Sequence, residues 1–456
     1  MTSASAESVG PAGTTGPVGP IGLECLMNRA NIHFTSGYRF SGGLDTERLE
    51  ASFRAVAGAV DKFAHRLHFS AQTDYAWRPA DALSPSFRAI DCDDLDQAFG
   101  AWCRDSLDLA ADGAHCPMAL AVLRRRGSDE FLIAQTSEHT YLDARSAEFL
   151  FNRMIEHYNA GFDGDSARQA AIEAAVRALR TVPGDRIVET LGLDDERHRE
   201  NLSALADYHV ADDGGYAIPL AEVPGCLAAH RRARRPPIVR FFRLGGLLAR
   251  CRAHAPEVTR NAVICAALAK GLHALNRSGR SLPEEQTISF KMLSDLLPPE
   301  MRATHCGNYI AFVPVSVAGE RPVEEIARQI HERTRRIKDE RIDVSLFRAV
   351  ENAVRAGAVG TVDDALSFVV TSWNNYTFLE TPDYLRGCRS LRHQSGVNID
   401  PRDTLGAVLV NRPILVINLS APDEVCLSFF PSLRADAENA AFAAHVAEVF
   451  DAVPVD

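Results

Sequence analysis

Residues 137–144 contain the side chains best suited to catalysis, with His139 four positions before Asp143. The pattern predicts that a strand ends near His139 and that a helix begins near Asp143. Imidazole titrates near neutral pH, so His139 can accept a proton from an attacking hydroxyl or amine. An aspartate at a helix start also serves as a plain cap. Because the chain has 15 histidines, an HxxxD pattern by itself does not identify a catalytic site.

Three further features occur in an order that gives this pattern more weight. Residues 259–276 resemble a TxNxxxxAALAxAL helix, residues 294–296 with 307–314 a DLR…GN…P block, and residues 371–376 an SW strand. With the HxxxD segment, they resemble the superfamily that contains chloramphenicol acetyltransferase, the condensation domains of nonribosomal peptide synthetases, and the BAHD and polyketide-associated acyltransferases. The resemblance covers residues 21–456, and its specificity lies in the order and spacing of the motifs.

The resemblance implies an α+β fold in which two chloramphenicol-acetyltransferase-like αβ subdomains form a pseudo-dimer around a central channel. The HxxxD loop would lie at the middle of that channel. An acyl thioester would enter from one face and the acceptor from the other.

The same resemblance assigns roles to individual residues. His139 would be the general base that deprotonates the acceptor nucleophile. Asp143 would point away from the substrate and pair with an arginine, for which Arg39 on an early strand is the candidate. The hydroxyl of Ser372, Asn374 or a neighbouring backbone N–H would donate to the tetrahedral oxyanion.

The motif departs from the family pattern at two positions. Glu138 stands where HHxxxDG has its first histidine, and we expect it to shift the basicity of His139 or to contact an amine-bearing acceptor. Ala144 stands where the motif has glycine, which removes the option of a strained positive φ. The DFGWG motif of the BAHD enzymes is not evident, so the bacterial condensation-like branch fits better.

The first hypothesis is a free-standing condensation-like acyltransferase of specialised metabolism, which forms an ester or an amide. Its co-substrate would be a phosphopantetheine-linked acyl thioester on a carrier protein or coenzyme A, with no cofactor bound. An acyl or peptidyl carrier protein would act in trans, and a small molecule would be the acceptor. The alternative is a non-catalytic condensation-like module that binds a carrier protein and recruits a partner enzyme. A third option is cyclisation or epimerisation of a carrier-bound substrate.

Composition excludes several other classes of function. The chain has 456 residues and a formal net charge of −11, which argues against nucleic-acid binding and against an anionic membrane surface. No apolar run reaches the roughly 18 residues that span a bilayer. The spacing of His, Cys, Asp and Glu predicts no metal site, and the GxGxxG, P-loop, GxSxG and HExxH motifs are missing. We expect a cytoplasmic monomer.

Hydrophobic periodicity predicts helices and strands interleaved in both halves, which favours α+β layers over a doubly wound sheet. We expect a disordered tail over residues 1–20, an N-terminal subdomain over 21–165, a helical crossover over 166–236 and a C-terminal subdomain over 237–456. The crossover ends in the basic cluster, residues 231–235, followed by two prolines. This cluster is interpreted either as a docking patch for an acidic carrier protein or, more simply, as a solvated linker.

Overall fold

The computed structural model describes residues 19–71, 74–80, 85–110, 117–208, 210–357, 366–430, 433 and 436–451. The predicted tail therefore lies almost wholly outside the described residues. The strands, in chain order, are β1 Ile32–Gly42, β2 His65–Ala71, β3 Asp74–Pro79, β4 Ser86–Cys92, β5 Met118–Arg125, β6 Glu130–Glu138, β7 Ile238–Arg243, β8 Thr287–Asp295, β9 Ile310–Ala318, β10 Phe368–Ser372, β11 Cys388–Ile399, β12 Ile414–Ala421 and β13 Glu424–Phe429.

Helices connect and cover these strands. They are α1 Gly22–Ala30, α2 Thr46–Ala59, α3 Leu95–Asp105, α4 Ala144–Phe162, α5 Ser166–Arg177, α6 Gly184–Thr190, α7 Asp195–Tyr208, α8 Val223–Ala233, α9 Gly245–His254, α10 Arg260–Arg280, α11 Val323–Asp339, α12 Ile342–Arg355, α13 Tyr376–Glu380, α14 Thr404–Leu409 and α15 Asp436–Asp451. In the part of the chain that the structure describes, no helix is long and apolar enough to cross a membrane.

Two mixed αβ lobes form the molecule, which confirms the predicted α+β fold class. The first lobe contains a five-stranded sheet in the order β11-β1-β6-β5-β4, and the second a six-stranded sheet in the order β7-β13-β12-β10-β8-β9. Helices α2, α4 and α5 pack together on the first lobe, whereas α10 packs against α11 and α15 on the second. A separate hairpin joins β2 to β3.

Side chains alternate between the two faces of the first sheet, as the pleat of a strand requires. On β5, Leu120 and Val122 belong to the same buried cluster as Phe53 of α2 and Phe151 of α4. The intervening small residues of β5 face Trp102 and its neighbours on α3. Both faces of the sheet are therefore covered, and the loop that follows β6 is anchored on a buried strand.

The sequence predicts that Asp45 and Thr259 each cap the start of a helix, and both caps are confirmed. The side chain of Asp45 accepts a hydrogen bond from the backbone N–H of Arg48 at the start of α2. Thr259 accepts one from the N–H of Ala262 at the start of α10. Such caps satisfy backbone donors that have no partner within the helix.

One local prediction in the C-terminal half is wrong. The sequence predicts a strand over residues 405–410, but residues 405–409 lie in α14, whose first turn is capped by Asp403 accepting the N–H of Gly406. A Cβ at Gly406 would lie 2.1 Å from the carbonyl oxygen of Arg29, so glycine allows α14 to pack closely on α1. Strand β11 was not expected at all, and it pairs antiparallel with β1 in the first sheet. The division of the chain at residue 236 therefore does not apply to this strand.

The segment expected to be a helical crossover is distributed over both lobes. Helix α5 packs on α4, α7 on α12, and α8 on α14. Within the basic cluster, Arg231 pairs with Asp400, and Arg234 pairs with Asp108. These two arginines therefore connect α8 to neighbouring segments of the protein.

Candidate active site

The HxxxD segment is a short loop between the end of β6 and the start of α4. The backbone N–H of His139 donates to the carbonyl oxygen of Ile32 at 2.8 Å, which anchors the loop on β1. Asp143 caps α4 by accepting the N–H of Ser146 at 2.7 Å. The loop is thus held at both ends by regular structure, which limits the positions available to the imidazole.

Asn308, which lies between β8 and β9, determines the tautomer of His139. Its Nδ2 donates to the carbonyl oxygen of His139 at 2.8 Å, so its Oδ1 is the atom that lies 2.9 Å from His139 Nδ1. An amide oxygen only accepts hydrogen bonds, so Nδ1 carries the proton. The other ring nitrogen, Nε2, is therefore left with a free lone pair.

Burial keeps the imidazole neutral. Desolvation lowers the pKa of His139 below its ordinary value of 6.5, although the hydrogen bond to Asn308 opposes this shift. The ring of Phe34 packs edge-on against it with centroids 5.0 Å apart, and Phe34 in turn contacts Trp373 at 5.4 Å. His139 is therefore an unprotonated base near neutral pH, with its orientation restricted by an aromatic neighbour.

Asp143 has a different environment from the one implied by the resemblance. Its carboxylate accepts backbone N–H groups of Ser146 and Tyr309, the latter at 3.5 Å, rather than a guanidinium. Burial and the nearby Asp295 raise its pKa to about 6. Asp143 thus joins the HxxxD loop to the start of β9.

Arg39 is not the partner of Asp143, and this prediction is wrong. Arg39 forms an ion pair with Asp96 at 2.6 Å, with side-chain exposures of 17% and 55%. The reason is the register of the sheet, in which Arg39 lies opposite Leu132 of β6, six residues before Glu138 at the end of that strand. Its side chain therefore reaches α3 instead of the loop.

His139 opens onto a cavity of about 120 Å³ between the two sheets. The lining comes from α1, β1, α4, β8, β9, β10, β11, α14 and β12 and from loops next to them, so both lobes contribute. Within the described part of the chain, the lining side chains other than His139, Thr371 and Trp373 carry no nitrogen or oxygen. The base therefore faces a partly open, mostly apolar space.

Neither Ser372 nor Asn374, the expected oxyanion donors, lines this cavity. Thr371 and Trp373 do so instead, because alternate residues of an extended segment point in opposite directions. Asn374 uses its Oδ1 to accept the N–H of Leu419 on β12. The sequence identified the correct strand, but it did not identify which face of the strand meets the cavity.

Glu138 is engaged with neighbours that lie outside the cavity lining. Its Oε1 accepts the hydroxyl of Thr140 at 2.9 Å and lies 3.4 Å from Arg402. The groups that shift the pKa of His139 do not include it. The contacts of Glu138 therefore do not support the predicted effect on the basicity of His139.

A buried ion pair beneath the loop was not predicted. Lys62 binds Glu24 of α1, and their side chains are only 4% and 0% exposed. Lys62 also donates to the carbonyl oxygen of Tyr141 at 3.0 Å, and the backbone N–H of Asn308 helps to lower the pKa of Glu24. The pair thus holds the HxxxD loop and lies close to the residue that orients His139. The rarity of lysine marks Lys62 in the sequence, because only four of the 49 cationic residues are lysines.

The described residues contain no group of three or more His, Cys, Asp or Glu side chains placed to hold a metal ion. The chemistry that this arrangement itself supports is proton transfer at Nε2 of His139 within an apolar cavity.

No protein-family model and no curated protein matches the chain. Solved structures do match over almost its whole length. Polyketide synthase associated protein 5 from Mycobacterium tuberculosis is 13% identical, with a TM-score of 0.60, and the alignment covers 96% of this chain and 100% of that one.

Two condensation domains are equally similar. The starter condensation domain of rhizomide synthetase RzmA, solved as a mutant in complex with C8-CoA, is 12% identical, with a TM-score of 0.61 and 96% of each chain covered. The first condensation domain of the calcium-dependent antibiotic synthetase, in complex with a substrate analogue, is 15% identical, with a TM-score of 0.62 and coverage of 96% of this chain and 97% of that one. Together with the two-lobed architecture, these similarities show that this protein has a condensation-domain-like fold.

Proposed function

We propose that the protein is an acyltransferase that moves an acyl group from a pantetheine thioester to a hydroxyl or amine acceptor. The thioester would be carried by coenzyme A or by a carrier protein supplied in trans. The observation that carries the proposal is the neutral His139, which lines the cavity and whose Nδ1–H donates to Asn308, so that Nε2 is left as the acceptor. The fold that this protein shares with solved condensation domains also supports this chemistry.

In the proposed reaction, Nε2 of His139 takes the proton of the acceptor as its oxygen or nitrogen attacks the thioester carbonyl carbon. The new C–O or C–N bond forms a tetrahedral oxyanion. Collapse of that intermediate breaks the C–S bond, and the imidazolium returns its proton to the departing thiolate. The histidine is thereby neutral again, and the products are an ester or amide and free pantetheine thiol.

Stabilisation of the oxyanion requires a donor near the reacting carbonyl. We assign this role to Thr371, which lines the cavity together with His139. This proposal replaces Ser372 and Asn374, whose side chains do not line it.

The experiment measures thiol release from acetyl-pantetheine and hexanoyl-pantetheine with a panel of small primary alcohols and amines. Wild-type protein should release thiol above background, and His139→Ala should reduce the rate by about 10²- to 10⁴-fold, the usual contribution of a general base. His254 is exposed and lies at the end of α9, so His254→Ala is the matched control and should keep the wild-type rate. Full activity in His139→Ala would contradict the mechanism.

The non-catalytic alternative makes a distinct prediction. A recruiting module would bind an acyl carrier protein yet release no thiol from any donor, and His139→Ala would leave that binding unchanged. Thiol release that depends on His139 would exclude this alternative.

A further inference from the structure

We infer that the cavity beside His139 binds the acyl chain of the donor, and that this chain is an uncharged hydrocarbon of about four to eight carbons. The inference rests on the proposed acyl transfer and names the class of acyl group. Its evidence is the composition, exposure and size of the cavity lining.

Apolar side chains remain partly exposed at this place in the centre of the molecule. They come from five different elements and line one space: Leu26 of α1, Leu293 of β8, Phe312 of β9, Val369 of β10 and Leu409 of α14. Apolar surface in contact with water is unfavourable, and an apolar group that covers it is stabilising. The protein leaves this surface partly exposed beside its base, which is the place where a ligand would cover it.

The chemistry of the lining excludes a charged or strongly polar acyl group. Away from His139, Thr371 and Trp373, the lining side chains of the described residues have no hydrogen-bonding nitrogen or oxygen. A carboxylate, hydroxyl or amide carried into that region would lose water without gaining a partner. The pantetheine arm, which contains two amides, is therefore unsuited to this space, whereas a hydrocarbon chain that begins at the thioester carbonyl is suited to it.

The size of the cavity limits the chain. An apolar cavity of about 150 Å³ is large enough to hold a benzene molecule. The volume of about 120 Å³ beside His139 therefore corresponds to about six carbons. Longer chains would have to displace side chains or extend into solvent.

The experiment measures binding of acyl-pantetheines to the His139→Ala variant by titration calorimetry, so that turnover does not disturb the equilibrium. Affinity should rise about fourfold per methylene from acetyl to hexanoyl, which corresponds to about 0.8 kcal/mol per buried methylene. It should rise no further beyond about eight carbons. Succinyl-pantetheine, which has the same number of acyl carbons as butyryl-pantetheine but ends in a carboxylate, should bind at least tenfold more weakly.

Two variants of wild-type protein change the cavity in opposite directions. Val369→Phe should shorten the optimal chain by several carbons, and Phe312→Ala should lengthen it. Val210 is 45% exposed on the surface, so Val210→Phe is the matched control and should leave the optimum unchanged. Because the two variants shift a preference and do not merely reduce binding, a folding defect cannot imitate the result.

The outcomes separate this inference from the proposed function. Thiol release without any preference for chain length or charge would overturn the inference and leave acyl transfer intact. A clear chain-length optimum without thiol release would overturn the proposed function and retain the pocket.

A chain-length series of primary alkanols and alkylamines tests whether the hydrocarbon in the cavity belongs to the acceptor instead of the acyl donor. If these bind with the expected increments and the acyl-pantetheines do not, the cavity accepts the acceptor and the inference is wrong.

Discussion

Replacing Lys62 by methionine tests the most deeply buried electrostatic interaction of the site. Methionine retains an unbranched side chain, but it leaves the carboxylate of Glu24 without its cation in a position that is 0% exposed. Desolvation already raises the pKa of Glu24, and Lys62 opposes that rise. In Lys62→Met we therefore expect a larger rise, with Glu24 protonated in the folded protein near neutral pH.

The cost of that protonation can be calculated. An unfolded glutamate with an ordinary pKa of 4.5 must take up a proton on folding, which costs about 1.4 kcal/mol for each pH unit above that value. The free energy of unfolding of Lys62→Met should thus be lower than that of wild type at pH 7 by up to about 3 kcal/mol, because the raised pKa of Glu24 already places part of this cost on wild type. The upper value lies at the low end of the usual range of about 3–5 kcal/mol for removing one partner of a buried ion pair.

The pH dependence has a definite sign. A carboxyl group whose pKa is raised by folding destabilises the folded state as pH rises from the unfolded pKa through the folded one. The loss caused by Lys62→Met should therefore shrink to about 1 kcal/mol or less at pH 5.5. Urea unfolding followed by tryptophan fluorescence at several pH values measures this difference.

The double variant Glu24→Gln/Lys62→Met is the control. Glutamine removes the charge and keeps an oxygen for the N–H of Ile21, which Glu24 accepts at 3.1 Å in wild type. Its stability should return to within about 2 kcal/mol of wild type and lose the extra pH dependence. A cost below about 1 kcal/mol for Lys62→Met at pH 7, or the same cost at pH 5.5, would refute the reasoning.

Four further predictions concern the loop and its neighbours. Asn308→Ala should reduce kcat by about 10- to 100-fold, a part of the contribution of the base, because it removes the acceptor that fixes the tautomer of His139. Because burial lowers the pKa of His139 below 6.5, the acidic limb of the profile of kcat/KM against pH should lie below that value, and Asn308→Asp should move it upward. Asp143, whose pKa is raised from 3.8 to about 6, should make wild type lose up to about 3 kcal/mol of stability as pH rises through that interval, and Asp143→Asn should abolish the loss. Arg39→Ala should cost less than about 1 kcal/mol and leave turnover unchanged, since its pair with Asp96 is partly exposed.

Each of these predictions can fail independently. An unchanged pH profile in Asn308→Asp would contradict the role of Asn308, even if the variant were slow. Urea unfolding of Asp143→Asn with the same pH dependence as wild type would assign that dependence to other groups. A large loss of turnover in Arg39→Ala would restore a link between Arg39 and the loop that its observed contacts do not provide.

Local patterns in the sequence predicted much of the fold. Alternating apolar residues predicted the strand that forms β1, residues 130–137 were predicted as the strand that forms β6, and the capping residues Asp45 and Thr259 predicted the starts of α2 and α10. These features depend on interactions between residues a few positions apart, so a single sequence contains them. The two-lobed arrangement was implied by the resemblance, which combined four motifs in order.

Other features depend on residues that are distant in the chain. Asn308 and His139 are separated by 169 positions, and nothing local to either residue indicates that one orients the other. The pairing of Arg39 with Asp96 instead of Asp143 follows from the register of β1 on β6, two strands that are distant in the chain. Strand β11 likewise pairs with β1, although most of the chain separates the two strands.

The sequence by itself therefore determined the candidate base, the helix caps and the fold class, because each is written in short-range spacing or in ordered motifs. Only the tertiary structure decided which nitrogen of His139 is free, which face of β10 meets the cavity and what that cavity can hold. Those properties arise where side chains from both lobes converge. Their burial, and with it their protonation and their preference for apolar ligands, exists only after the chain has folded.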